Sequence, residues 1–271
     1  MDFTNWIGRT ERREETISER QISLFQATFP GLLADFEVPP GFHWTMVPDL
    51  AEPNNLGRDG HPKPGIFMPD LGLPRRMWAG GMLEYLAPLR VGDEVARDSR
   101  IADVVFKEGS TGRLGFVTVE HTWSAGQEVC IRERQDIVYR EEPKSGAAAR
   151  VTQVDDWKTD ASAKLTPDPV LLFRYSALTF NGHRIHYDFP YATEVEGYEG
   201  LVVHGPMQSM LMQNLAAKVF GSLPKRFEYR GLSPLICGHP ITIEARAITD
   251  GLELRVHRVN GPVTMSATAI F

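Results

Sequence analysis

Residues 205–220 read GPMQSMLMQNLAAKVF, and this stretch decides the fold. On a helix of 3.6 residues per turn, its apolar side chains fall on nearly every side. Pro206 stands at the expected first helical position, and Gly221 follows the expected last one. A helix that is apolar nearly all round must be buried. The stretch therefore predicts a long central helix from Met207 to Phe220.

Segments of alternating hydrophobicity accompany this helix. Each places apolar side chains at every second position, the pattern of a strand with one buried face. The apolar positions are Val117, Val119, His121 and Trp123, then Ile241, Ile243 and Ala245, then Leu252, Leu254 and Val256, then positions along 263–270. A long helix with a meander of antiparallel strands predicts an α+β fold in which a curved sheet wraps the helix.

A repeat divides the chain. Residues 83–103 (LEYLAPLRVGDEVARDSRIAD) and residues 227–249 (FEYRGLSPLICGHPITIEARAIT) share apolar-Glu-Tyr, then Pro-Leu-x-x-Gly, then apolar alternation leading to an arginine. The spacing is about half the chain, too long for a solenoid repeat. Two copies of one domain are predicted, at 1–145 and 155–271, with the charged and small residues of 140–153 as linker. The first copy would begin its helix at a capping box, Ser18 to Gln21.

Composition and charge narrow the function. The 271 residues are 42 % hydrophobic and 24 % charged, as in a globular protein with a sizeable core. A net charge of −6 argues against nucleic acid or an anionic membrane as partner, although a few local arginines could hold an anionic small molecule. Cys130 and Cys237 lie in different halves without CxxC spacing, which argues against a disulfide framework. No secretory segment or run of 18 apolar residues is present, and we expect a cytoplasmic protein.

A Pro- and Gly-rich stretch, residues 38–80, is long for a structureless loop. Such loops are functional or disordered. Its aromatic residues, Trp44, Phe67 and Trp78 among them, suggest that it packs on something. It is either a cover over a ligand groove or a purely structural overhang.

The stretch 181–188, NGHRIHYD, is the main candidate for chemistry. His183, His186 and Asp188 could ligate a metal, but i,i+3 spacing without a third ligand motif is weak. Neither GxSxG, GxGxxG nor a P-loop pattern occurs. Acid–base chemistry needs only a histidine tuned near neutrality, an orienting polar group and an oxyanion site. If the segment is extended, His183 points to the opposite face from His186 and matters less.

Residues 202–208, VVHGPMQ, would supply the oxyanion site. Gly205 and Pro206 open the predicted helix, where unpaired backbone N–H groups collect at the positive end of the helix dipole. An ordinary glycine N-cap gives the same pattern. His204 beside it is, taken alone, more often structural than catalytic.

These motifs, taken in order, resemble a known family. Asn181 and His186, then His204-Gly205-Pro206, then Tyr229 and Pro234-Leu235, are similar to the MaoC-like hot-dog dehydratases and R-specific enoyl-CoA hydratases. The family signature reads Gly-Asp-x-Asn-Pro-x-His, so this chain has Asn181 for the Asp and Arg184 for the Pro. RYSALTFNGHRIHYD resembles the type 2 hydroxyacyl-thioester dehydratases. TNWIGRTE and PRRMWAGG resemble bacterial itaconyl-CoA and mesaconyl-CoA hydratases.

The resemblance implies a double hot-dog fold, two antiparallel sheets each wrapped on a long central helix. It implies a hydratase or dehydratase for an α,β-unsaturated acyl-CoA, with the second half catalytic and the first half shaping the pocket. His186 would be the base, Asn181 would orient the water, and the Gly205 N–H would support the thioester oxygen. Since an amide cannot be an acid, the route of the second proton stays open. No metal or redox cofactor is implied, and we expect a homodimer.

A short dicarboxylic acyl group, such as itaconyl or mesaconyl, needs an arginine near the reacting alkene. Arg184 is the first choice because it lies inside the motif. The other predicted substrate-binding residues are His204, Arg230, Arg75, Arg76 and Trp78. The alternatives are a general 3-hydroxyacyl-thioester dehydratase, a non-catalytic acyl-CoA binding protein and a hot-dog thioesterase.

Overall fold

The structure, a computed structural model, describes residues 3–109, 112–141, 157–259 and 261–271. Ten strands and three α-helices carry the fold. The strands are β1 Thr10–Thr16, β2 Arg75–Tyr85, β3 Glu94–Gly109, β4 Gly112–Ala125, β5 Glu128–Arg140, β6 Ala161–Leu165, β7 Arg226–Gly231, β8 Ile241–Ile248, β9 Gly251–Arg258 and β10 Val263–Ile270. The helices are α1 Glu19–Thr28, α2 Pro169–Thr179 and α3 Gly205–Phe220. Short turns of helix lie at Thr4–Trp6, Phe42–Thr45, Pro53–Asn55, Arg184–His186 and Tyr191–Val195.

The strands form one antiparallel sheet in the order β1-β3-β4-β5-β2-β7-β10-β9-β8-β6. The second five strands repeat the order of the first five in mirror image, as the sequence repeat predicts. β2 and β7 pair at the centre, with Gly81 opposite Tyr229 and Leu83 opposite Phe227. This pairing joins the two predicted sheets edge to edge into one continuous sheet. The predicted domain boundaries stay a prediction, since most of the linker lies outside the described residues.

The central helix α3 is confirmed. It has Pro206 in its first turn and ends at Gly221, whose N–H donates to the Ala217 carbonyl (2.8 Å). Every residue from Met207 to Ala217 is buried, as an all-round apolar helix requires. The predicted apolar faces of the strands also lie inside, with Trp123 1 % exposed.

The N-terminal half differs from its prediction. Its capping box is present, with the Ser18 hydroxyl accepting from the Gln21 N–H, but α1 has only 10 residues against 16 in α3. A long segment follows instead, residues 29–74, which we name the overhang. It packs on α3: the Ala34 N–H donates to Asn214 Oδ1, and Asn214 Nδ2 donates to the Pro40 carbonyl, each at 2.9 Å. Among the described residues, the double fold therefore has one long helix, α3, instead of the two that the sequence predicted.

A buried carboxylate ties the overhang to the sheet. Glu133 on β5 is 3 % exposed and accepts from the indole N–H groups of Trp44 (2.8 Å) and Trp123 (3.0 Å). Trp44 is thereby held over the centre of the sheet. Residues 75–80, which the sequence grouped with the loop, are the first part of β2. Among the described residues, no helix is long and apolar enough to cross a membrane.

Candidate active site

The motif 181–188 is a tight turn rather than an extended segment. α2 ends at Thr179, and Phe180 adopts a left-handed conformation (φ 50°) that reverses the chain. Asn181 Oδ1 accepts from the His183 N–H (2.9 Å), and a 3-10 turn follows from Arg184 to His186. In such a turn, side chains three residues apart share a side. The rings of His183 and His186 are accordingly 5.3 Å apart, so the prediction that they face opposite ways is wrong.

His186 is held in one tautomer. Its Nδ1 lies 2.6 Å from the Val202 carbonyl oxygen, which can only accept, so Nδ1 carries the hydrogen and Nε2 is left as an acceptor. Its ring stacks on that of His204 at 3.5 Å between centroids. The Nε2 of His204 in turn bonds the Ser176 hydroxyl on α2 at 2.9 Å. The motif and the start of α3 thus meet through two stacked imidazoles.

Burial keeps these imidazoles neutral. His186 and His204 are 6 % and 1 % exposed. Burial lowers the pKa of His186 to about 3, although the hydrogen bond to Val202 opposes the shift. Burial also holds the pKa of His204 well below its ordinary value, and the neighbouring histidines add to the effect. A neutral His186 with an Nε2 lone pair is a proton acceptor, the form that a general base requires, although its pKa lies below the near-neutral value expected from the sequence because the ring is buried.

The start of α3 faces an aromatic wall. A methyl group at Gly205 would lie 2.9 Å from the ring of Trp78, so only glycine fits there without displacing the indole. Trp78 stacks on Tyr229 (4.4 Å between centroids) and meets Trp44 edge-on (5.5 Å). His204 Nδ1 is buried next to this helix start and has no hydrogen-bond partner among the described residues. The helix start therefore combines the positive end of the helix dipole with one buried imidazole nitrogen that has no partner among the described residues.

Two functional candidates come from the overhang, and the sequence did not reveal them. His61 Nδ1 lies 3.0 Å from Asp59 Oδ2, and its ring is 4.3 Å from that of His183. The loop is fastened to the motif, because the Arg184 N–H donates to the Asp59 carbonyl at 2.8 Å. No periodicity or spacing in a Pro- and Gly-rich stretch connects it with a turn in the other half. The position of this loop on the motif favours a cover over the ligand groove, rather than a purely structural role, for this part of the chain.

Asp59, His61 and His183 are also residue types that can ligate a metal ion. Asp59, His61 and His183 each place one ligand-type atom within 4.8 Å of the other two. The positive charge of Arg76, however, acts on all three groups and lowers the pKa of each. A cation would meet that repulsion, and the Asp59–His61 hydrogen bond already accounts for the arrangement. The predicted alternative set of His183, His186 and Asp188 does not come together, because Asp188 pairs with Arg184 at 2.6 Å.

The predicted arginines separate into three groups. Arg184 is ion-paired with Asp188, and Arg75 is buried in an ion pair with Glu196 (2.7 Å). Arg230 is exposed on β7, on the face opposite to the buried Tyr229. Arg76 has no carboxylate within 4 Å among the described residues, and it lies on the same face of β2 as Trp78. Of the four, Arg76 is the one placed beside the histidines with its charge unpaired.

Buried imidazoles thus meet the start of the central helix, an arrangement suited to proton transfer beside a stabilised anion. The comparisons with known proteins agree. The model of the family described as hydroxyacyl-thioester dehydratase type 2 matches residues 41–237. The chain belongs to this family. It is accordingly a hydratase or dehydratase, a carbon–oxygen lyase.

Its relatives include both directions of this chemistry. A mesaconyl-C(4)-CoA hydratase of Chloroflexus aurantiacus is 39 % identical, with 98 % of this chain and 97 % of that protein covered. A mitochondrial hydroxyacyl-thioester dehydratase type 2 of Schizosaccharomyces pombe is 29 % identical, with 75 % and 76 % covered.

Solved structures share the fold. HtdX of Mycobacterium tuberculosis superposes with a TM-score of 0.69 at 17 % identity, covering 96 % of this chain and 98 % of that one. Another M. tuberculosis protein, described as having a double hot-dog fold, gives a TM-score of 0.56 at 14 % identity, covering 98 % and 96 %. The predicted double hot-dog architecture is thus confirmed.

Proposed function

We propose that the chain adds water across the double bond of an α,β-unsaturated acyl-CoA, with a short dicarboxylic acyl group as its preferred substrate. The observation that carries the proposal is the fixed, neutral His186 beside the start of α3. A base and an anion-stabilising helix end are what hydration of an enoyl thioester needs. No proposed step requires a metal or redox cofactor.

The mechanism follows from the positions of His186 and of the start of α3. His186 Nε2 takes a proton from water as the water oxygen bonds to Cβ. The π electrons move through Cα to the thioester oxygen, and the negative charge develops near the Gly205 N–H and His204. The proton on His186 is then delivered to Cα, the carbonyl re-forms, and His186 is neutral again. Asn181 shapes the turn through its bond to the His183 N–H.

Two features support a short acyl group. The aromatic wall of Trp44, Trp78 and Tyr229 closes the space above the helix start, where a fatty chain would need an apolar tunnel. The relative that is 39 % identical over nearly the whole chain bears the name of a hydratase for a C4-linked mesaconyl ester. Dehydration of a general 3-hydroxyacyl thioester is the second candidate, because two yeast relatives bear that name.

A panel of CoA esters tests the function. Mesaconyl-CoA isomers, itaconyl-CoA and crotonyl-CoA are mixed with the purified protein, and loss of enoyl-thioester absorbance is followed. We expect the carboxylated esters to react with a higher kcat/KM than crotonyl-CoA. A preference for crotonyl-CoA would instead indicate a general dehydratase. Release of free CoA thiol would indicate a thioesterase, and thermal stabilisation without turnover would indicate a binding protein.

We assign the contact with the distal carboxylate to Arg76 rather than to Arg184. Arg184 is already occupied: it pairs with Asp188, donates to the Arg58 carbonyl (3.1 Å) and lies over the Tyr191 ring. Arg76→Met should lower kcat/KM for a carboxylated ester by about 30- to 1,000-fold and spare crotonyl-CoA, because a buried carboxylate would lose its charged partner. Arg184→Met is the matched variant and should affect both esters alike. If Arg184→Met instead lowered kcat/KM for the carboxylated ester alone, Arg184 would be the carboxylate contact, as the sequence first suggested.

The predicted homodimer and cytoplasmic location remain part of the proposal. Both cysteines are free thiols, which accords with a reducing compartment. Size-exclusion chromatography with light scattering tests the dimer.

A further inference from the structure

The signature of the MaoC-like dehydratases, which the motif at 181–188 resembles, has an aspartate where this chain has Asn181, so a negative charge is missing at that position. The consequence of that missing charge rests on the function proposed above. When His186 accepts a proton from water, a buried imidazolium forms, and a buried charge without a counter-charge is costly. Asn181 cannot supply that charge, and its Oδ1 is engaged by the His183 N–H.

A carboxylate oxygen of Asp59 lies within 4.8 Å of a ring nitrogen of His183, the first histidine of the motif. The Asp59 side chain accepts from His61 twice, from the backbone N–H (3.1 Å) and at Nδ1 (3.0 Å). The second bond fixes the Nδ1–H tautomer of His61 and leaves Nε2 as an acceptor. The rings then follow in series, His61 to His183 at 4.3 Å and His183 to His186 at 5.3 Å.

The loop that carries Asp59 is built to sit on the motif. Gly60 adopts φ +87°, and a methyl group there would lie 2.0 Å from the Gly182 carbonyl oxygen. Arg184 donates to the loop twice, from its backbone N–H to the Asp59 carbonyl (2.8 Å) and from Nη1 to the Arg58 carbonyl (3.1 Å). A β-bridge between Leu56 and Pro62 closes the loop at its base. Arg58 and Arg184, which are 126 positions apart in the chain, are thus brought into contact.

We propose that Asp59, a positioning residue acting through His61, supplies from the N-terminal half the carboxylate charge that position 181 lacks. It orients His61 and stabilises, through the contacts between the rings, the imidazolium that forms when water loses its proton. The role matches that of the aspartate in a catalytic triad, which orients a histidine and offsets its charge without being protonated.

The carboxylate is in the right state for this role. Burial opposes ionisation of Asp59, but its hydrogen bonds with His61 and the charge of Arg76 together outweigh burial and lower the pKa of Asp59 below its ordinary value. Burial, together with the charge of Arg76, lowers the pKa of His61 to about 4, although the hydrogen bond and charge of Asp59 oppose the shift. Asp59 is therefore the anion that offsets positive charge at this end of the row.

Asp59→Asn tests the proposal, because an asparagine oxygen can still accept from His61 while the charge is gone. We expect kcat to fall about 100-fold with KM within about threefold of the wild type, since the charge matters only once the imidazolium forms. The melting temperature should change by less than about 3 °C. Asp70→Asn is the matched control: Asp70 lies in the same overhang and accepts the Gly72 N–H (2.9 Å), and loss of its charge should leave kcat unchanged.

A second-site variant makes the test specific. Asn181→Asp in the Asp59→Asn background returns a carboxylate to the motif and should recover at least about tenfold of the lost kcat. A loop that was merely loosened by Asp59→Asn would not be repaired from position 181. Full activity in Asp59→Asn, or equal loss in Asp70→Asn, would overturn the proposal.

Two outcomes with the wild-type protein distinguish a failure of the function from a failure of the positioning role. A wild-type protein inactive on every ester would end the proposed function, and the role of Asp59 with it. A wild type that is active, but loses activity to a chelator and regains it with Zn²⁺, would identify Asp59, His61 and His183 as a metal site and overturn the positioning role alone.

Discussion

At the residue scale, the chemistry depends on Nε2 of His186, which is free because Nδ1 is committed to the Val202 carbonyl. His186→Ala should lower turnover by about two to four orders of magnitude, the usual range for a general base. His239→Ala is the control, since His239 is exposed and belongs to the same half. Steady-state kinetics on the preferred ester measure both. Retention of most activity in His186→Ala would remove it from the mechanism.

Local signals in the sequence placed His186, Gly205 and the helix start correctly beside one another. Arg184 lies four residues before Asp188 and is ion-paired with it in the structure, while its predicted contact with the substrate stays a prediction. Asp59 and His61 could not be predicted. Only the three-dimensional pairing of the halves brings the overhang to the motif, and a single sequence carries no trace of that contact.

At the element scale, the contact between the overhang and the motif depends on Gly60. Gly60→Ala should lower activity at least tenfold and the melting temperature by several degrees, because the added methyl group meets the Gly182 carbonyl and φ is +87°. Gly65→Ala is the matched control: its φ is +96°, in the same overhang, but a methyl group there meets nothing within 4 Å.

The control should therefore show only the backbone cost of the left-handed region, about 1 kcal/mol, with activity retained. Thermal melts and initial rates of both variants measure the two effects. Equal effects would mean that the close approach to Gly182 has no importance.

The elements themselves were largely predictable. The strands showed period-two alternation and α3 showed its apolar surface, because each is decided by burial of local side chains. The replacement of a second long helix by the overhang was not predictable in the same way. Phe25 and Phe29 fit helical spacing, but the helix ends at Thr28 and the chain continues as loops that pack on α3.

At the scale of the whole molecule, the buried histidines make the fold sensitive to mild acid. Burial lowers the pKa values of His183, His186 and His204 below their ordinary value. The unfolded chain, with histidine pKa values near 6.5, therefore takes up protons first as the pH falls. Stability is complete above about pH 6.5 and declines below it.

Burial also lowers the pKa values of His61 and His121, and each such histidine should lower the free energy of unfolding by roughly 1 kcal/mol at pH 5.5. For a protein of this size the melting temperature should fall by roughly 10 °C or more between pH 7.5 and 5.5. Scanning calorimetry at the two pH values measures the fall, and His186→Gln should make it smaller. An unchanged melting temperature would show that these rings are protonated in the folded protein.

The fastening of the loop at residues 56–62 to the turn at 181–186 also bears on how such a protein can change over generations. After a duplication, one copy is commonly free to drift while the other keeps the work. Here the copy without the histidine motif touches that motif at Gly60, Asp59 and His61, so its drift is restrained at those positions. Recombination that exchanges one half between distant homologues would separate two surfaces shaped for each other. We therefore expect the two halves to be inherited together.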